Sequence, residues 1–106
     1  ERSTAAIESL KVIAFDIAVM CMSMEGTTHL PAFLVHDSPR EADLGLSVYH
    51  RLFSTVATLE AQENSVFQYI VTTTTQPPAQ FQKQPWLRLE LRGSPSTERL
   101  LRCDLP

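Results

Sequence analysis

Asp37 closes the apolar run Ala32-Phe33-Leu34-Val35-His36, and its carboxylate is the group in this sequence best suited to hold a hard cation. A divalent cation such as Mg²⁺ takes oxygen ligands, which must be fixed on a rigid element. In α/β sheets the carboxyl ends of the strands face the ligand crevice, so an acid at that point is well located. Many α/β strands nevertheless end in aspartate, and the run gains meaning only from its neighbours. Ser38 follows directly, and Glu41 and Asp43 lie in the next loop.

Other constellations carry less chemistry. His36, Asp37 and Ser38 have the residue types of a hydrolase triad, but neighbours on a strand point to opposite faces and form no relay. His29, His36, His50 and Cys21 match no zinc-ligand spacing and read as core or surface residues. Cys21 and Cys103 sit in apolar surroundings and read as buried free thiols, which suits a reducing compartment. Met20, Met22 and Met24 read as helix packing.

The elements that must position Asp37 follow from periodicity. Ser3 or Thr4 can cap a first helix, whose apolar residues Ile7, Leu10, Ala14, Ile17, Ala18 and Cys21 recur at helical spacing. Further apolar residues broaden that stripe, so the helix is expected to be buried on several sides, with Gly26 as its stop. Ala32 to His36 reads as a buried strand of a parallel sheet with both faces covered. A loop from Asp37 to Gly45 leads to a second helix from Leu46 to Gln62, with Val48, Leu52, Val56 and Leu59 on one stripe. Phe67 to Thr72 is rich in strand formers, and strand, helix, strand in that order predicts a parallel βαβ unit. After Pro77-Pro78 the segment Trp86 to Arg92 alternates apolar and polar residues. With the turn Gly93 to Ser96 and the return Arg99 to Asp104, it predicts a terminal antiparallel hairpin. The fold class expected is therefore α/β: a short parallel sheet, two buried helices and that hairpin.

The chain has 106 residues, enough for one domain, with 43% apolar and 20% charged residues. A net charge of -3 without a basic stripe argues against this segment gripping nucleic acid by itself. The apolar stretch Val12 to Met24 is short for a bilayer and is broken by Asp16, so no membrane partner is expected and the cytoplasm is the default. The opening at Glu1, inside a helix-start motif and without methionine, predicts a piece of a longer chain.

Taken in order, these segments resemble the C-terminal part of an ABC/SMC-type (SMC/RecN-like) P-loop ATPase head. Glu1-Arg2-Ser3-Thr4-Ala5-Ala6 and the long helix after it resemble the stretch following the signature-motif glycines. Pro31 to Pro39 resembles the Walker B segment, Asp43 looks like the D-loop aspartate, and Phe67 to Thr74 resembles the strand leading to the switch histidine.

The resemblance implies a half-site that uses ATP and Mg²⁺. Asp37 would serve the metal; Glu1, Arg2, Ser3 and Asp43 would lie at the nucleotide sandwiched between two heads; Ser38, Glu41 and Thr74 would stand at the catalytic positions. It also implies three partners: an upstream N-terminal ATPase lobe, a second head in a homodimer, and DNA for the whole protein, in DNA repair, chromosome handling or defence. The phosphate-binding loop would belong to the upstream lobe, because no G-x-x-x-x-G-K-[ST] occurs among the three glycines here. Two departures bear on activity. Ser38 replaces the usual catalytic glutamate and cannot act as a carboxylate base, which makes Glu41 the nearby candidate. Thr73 or Thr74 replaces the switch histidine and cannot carry positive charge. A non-catalytic dimerisation or regulatory module with the same fold is the alternative that these departures favour.

Overall fold

A computed structural model describes residues 4–40, 44–92 and 97. Its elements are helix α1 (Thr4–Met24), strand β1 (Phe33–Asp37), helix α2 (Leu46–Glu60), strand β2 (Gln68–Thr72) and a short 3₁₀ turn (Ala79–Phe81). The domain is therefore α/β, with two helices and a two-stranded sheet. The strands run parallel, pairing Phe33 with Gln68, Val35 with Ile70 and Asp37 with Thr72, as the βαβ order predicts.

The helix boundaries have local causes. Gly26 adopts φ 78°, a conformation in which a side chain is strained. It ends α1 in a Schellman arrangement, with Thr27 N–H bonded to Met22 O at 3.0 Å and Gly26 N–H to Ser23 O at 3.1 Å. At the entry to α2 the guanidinium of Arg40 donates to Leu44 O at 2.6 Å. That bond ties Arg40 to Leu44, which lies in the core at 2% exposure.

The core is narrow. Ile13, Leu44, Tyr49, Leu52 and Val56 form one buried cluster, with Leu10, Ile17, Phe67 and Tyr69 packed on it. On α2 the 3.6-residue period turns Tyr49, Leu52 and Val56 inward. An apolar groove of about 480 Å³ separates α1 from α2 and is lined by Leu10, Ile13, Ile17, Leu44, Val48 and Leu52, among others.

Three sequence expectations require correction. The first helix is not buried on several sides: only Ile13 and Met20 are buried, while Val12 is 60% and Phe15 69% exposed. Nor are both faces of β1 covered, because Phe33 and Val35 are largely exposed. Both errors have one cause. Apolar breadth reports how much burial the sequence is suited to, and the elements described here supply cover on one side only. The third correction concerns the hairpin. Residues 87–92 form no strand, and Trp86 lies instead in a turn closed by Trp86 N–H and Leu87 N–H, each 3.0 Å from Lys83 O. Its ring stacks edge-on against Phe81 at 5.3 Å, which continues through Phe53 to Tyr49. Aromatic anchoring on α2 thus fixes the segment, and alternation without a ladder partner makes no strand. The returning arm, Arg99 to Asp104, lies outside the described residues.

Candidate functional site

The carboxyl end of the sheet brings Asp37 and the threonine run together. Asp37 ends β1 one residue inside the strand, not just beyond it, and its register partner is Thr72. The Thr72 hydroxyl donates to Asp37 Oδ1, and the Ser38 hydroxyl lies 3.4 Å from the same oxygen. Among the described residues nothing bonds to Oδ2 of Asp37. Ser38 N–H donates to Thr72 O at 2.8 Å, which carries the ladder one residue past the strand. Ser38 then turns at φ 50°, an uncommon conformation for a residue with a Cβ. The strain is local to the point where the chain leaves the sheet. Asp37 also lines a cavity of about 360 Å³ between β1 and the first turns of α1, together with Glu8, Ser9, Val12, Val35 and Pro39.

Thr73 and Thr75 are held from the α2 side. The Tyr49 hydroxyl lies 2.7 Å from both the Thr73 hydroxyl and the Thr75 carbonyl oxygen. The Thr75 N–H donates back to the Thr73 hydroxyl at 3.1 Å. A fully buried tyrosine therefore fixes the turn that follows β2, and Thr74, exposed to solvent, sits within that turn.

On the opposite face of β1 lies a polar trio. His36 is buried, with Nε2 2.9 Å from Asp16 Oδ2 on α1 and Nδ1 2.6 Å from the Tyr69 hydroxyl on β2. Strand alternation sends the His36 and Asp37 side chains to opposite faces, although both residues border the cavity of about 360 Å³. The trio ties three elements together and leaves no buried side-chain polar atom without a partner among the described residues. Burial is the main cause of a raised Tyr69 pKa, followed by the negative charge of Asp16 and then by Tyr49. The phenol is thus kept neutral in the fold. Above the ordinary tyrosine pKa of about 10 the folded chain binds more protons than the unfolded one, so stability present below that pH is lost as pH rises past it. Tyr69→Phe is expected to flatten this alkaline loss, read from thermal melts between about pH 9 and 11. An unchanged slope would mean that another group governs it.

Of the sequence-derived site residues, the sheet unites Asp37 and Ser38 with the threonine run that contains Thr74. Glu1, Arg2, Ser3, Glu41 and Asp43 lie outside the described residues. Sequence reading passed over Thr72, Tyr49, Asp16 and Tyr69. Asp16 left a signal, as the one charged residue in an apolar stretch of helix; the other three left none beyond their types. No three or more His, Cys, Asp or Glu side chains converge on a metal site among the described residues. Asp37 alone fits one carboxylate of a Mg²⁺ site of the kind that phosphates and water complete. For ATP itself the described residues provide no glycine-rich cradle of backbone amides, so the phosphates would have to be gripped by another part of the protein.

Compared with known proteins, the chain matches no family model, no curated protein and no solved structure. Among the described residues, no helix is long and apolar enough to cross a membrane.

Proposed function

We propose that this chain is the C-terminal lobe of an SMC/RecN-like ATPase head, which completes a Mg²⁺-ATP site with an upstream lobe and a partner head. One observation carries the reading. An acidic strand end and a threonine run stand side by side at the carboxyl end of a parallel βαβ unit, with Asp37 hydrogen-bonded to Thr72. The uncovered apolar surface of α1 and β1 supports it further, since a lobe needing a companion is expected to be apolar where the companion sits.

In this reading Mg²⁺, when bound, offsets the charge of the transferring phosphoryl group. Asp37 would be the residue that holds the metal, and the Thr72 and Ser38 hydroxyls both meet its Oδ1 rather than its Oδ2. Thr72 fixes the carboxylate by its hydrogen bond. Ser38 can hydrogen-bond water but cannot take its proton, and Glu41 is the acid that would do so. Thr74 would meet a phosphate oxygen as a neutral hydroxyl, in a turn made rigid by Tyr49. Glu1, Arg2, Ser3 and Asp43 belong at the face shared with the second head, and DNA is a partner of the whole molecule. A cytoplasmic location fits the chemistry.

Ser38 specifically favours a second reading, a non-catalytic dimerisation or regulatory module. ATP turnover by the intact polypeptide separates the two. Asp37→Ala is expected to lower turnover on the order of 100-fold, as losses around a metal site do. Turnover that survives Asp37→Ala removes Asp37 from the site. Heads that dimerise with ATP and never turn it over establish the second reading.

A further inference from the structure

Ser9, Val12, Ile13 and Asp16 lie on one stripe of α1, because helix residues at such spacings share a face. The first three border the cavity of about 360 Å³, with Val35, His36 and Asp37 on its strand side. Asp16 stands about one turn further along the helix and reaches the sheet, where its Oδ2 lies 2.9 Å from His36 Nε2. It is the sole charged residue of α1 beyond Lys11.

The helix is held to the sheet in two ways. Ile13 packs in the core cluster, and apolar packing of that kind is non-directional. It keeps α1 close but does not fix how the helix is turned. The hydrogen bond from His36 to Asp16 is directional, so it sets the rotation of α1 about its axis. His36 is itself fixed, since it is buried and its Nδ1 lies 2.6 Å from the Tyr69 hydroxyl. The next residue of β1 is Asp37. One bond therefore governs both walls of the cavity, with Ser9 on the helix wall and Asp37 on the strand wall.

We propose that Asp16 is a positioning residue for a divalent cation at Asp37. Acting through His36, it sets the width of the cavity and keeps Ser9 facing Asp37 across it. Groups one step behind a metal ligand hold it in its binding orientation, and losing one weakens metal binding by about 10- to 100-fold. The cation at Asp37 rests on the function proposed above; the bond that fixes α1 does not.

The test adds Mn²⁺, a paramagnetic stand-in for Mg²⁺, to the 106-residue chain and reads the broadening of amide signals. In the unsubstituted chain Asp37, Ser38 and Thr72 should broaden, and Ser9 with them. With Asp16→Ala, half-maximal broadening of Asp37 should need on the order of 10-fold more Mn²⁺. Ser9 should then lose most of its broadening relative to Asp37, because the effect falls steeply with distance. Asp16→Asn keeps an oxygen that accepts from Nε2–H and should restore both. Lost stability alone would move neither, since signals of the folded chain report folded molecules only. An unchanged Mn²⁺ requirement in Asp16→Ala, beside normal broadening of Asp37 in the unsubstituted chain, overturns this proposal alone. So does an Asp16→Asn chain as impaired as Asp16→Ala. Mn²⁺ that spares Asp37 in the unsubstituted chain overturns the metal role of Asp37, and with it both this proposal and the ATPase reading.

Discussion

Tyr49→Ala is expected to destabilise the domain by about 3–5 kcal/mol, the range for removing a large aromatic ring from a core. Tyr49 is fully buried in the core cluster with Ile13, Leu44, Leu52 and Val56. Its ring packs against Phe53 at 5.1 Å, and through Phe53 reaches Phe81 and Trp86. Its hydroxyl reaches across to Thr73 and Thr75. Single domains are stable by only about 5–15 kcal/mol, so the loss is a large share of the whole. Urea unfolding measures it. Tyr49→Phe separates the two contributions: it keeps the ring, loses the hydroxyl and should cost about 1–2 kcal/mol, since the Thr75 carbonyl loses a donor. If Tyr49→Ala cost no more than Tyr49→Phe, the ring would have no part in the core. The turn after β2 should loosen in both variants, because Thr73 and Thr75 are held from the same hydroxyl.

His36→Ala is expected to cost about 2–3 kcal/mol, because it removes the centre of a three-element polar link and strands its partners. The Tyr69 hydroxyl loses its contact in a half-buried setting. The Asp16 carboxylate also loses its partner, but its side chain is 31% exposed and water replaces part of the bond. Asp16→Asn should therefore cost less than His36→Ala. The double variant should cost less than the sum of the two, because the residues are in direct contact. Chemical denaturation of the four proteins gives the coupling. Additive losses would mean that the 2.9 Å contact between His36 and Asp16 carries no interaction energy. The same substitutions bear on the candidate site, because His36 anchors the strand that ends in Asp37.

What could be read from the residues was whatever depends on neighbours along the chain. Helical spacing located α1 and α2, and Gly26 marked the first stop because only a residue without a Cβ takes φ 78° without strain. Strand formers located β1 and β2, and a helix between two strands required a parallel pair. Asp37 was legible as a strand-end acid because an apolar run ending in a carboxylate is a local pattern.

Contacts between distant segments were decided only by the tertiary structure. No spacing rule connects Asp37 with Thr72, Asp16 with His36, or Tyr49 with Thr73, since each pair meets only when register and helix placement are set. Two expectations about burial failed for the same reason: a side chain's hydrophobicity is its own, but its cover belongs to whatever packs on it. The apolar residues of α1 and β1 were read as a core, and the described fold leaves much of that surface bare. Trp86 to Arg92 alternated as a strand should, yet a strand also needs a ladder partner, and the aromatic contact with Phe81 held the segment elsewhere.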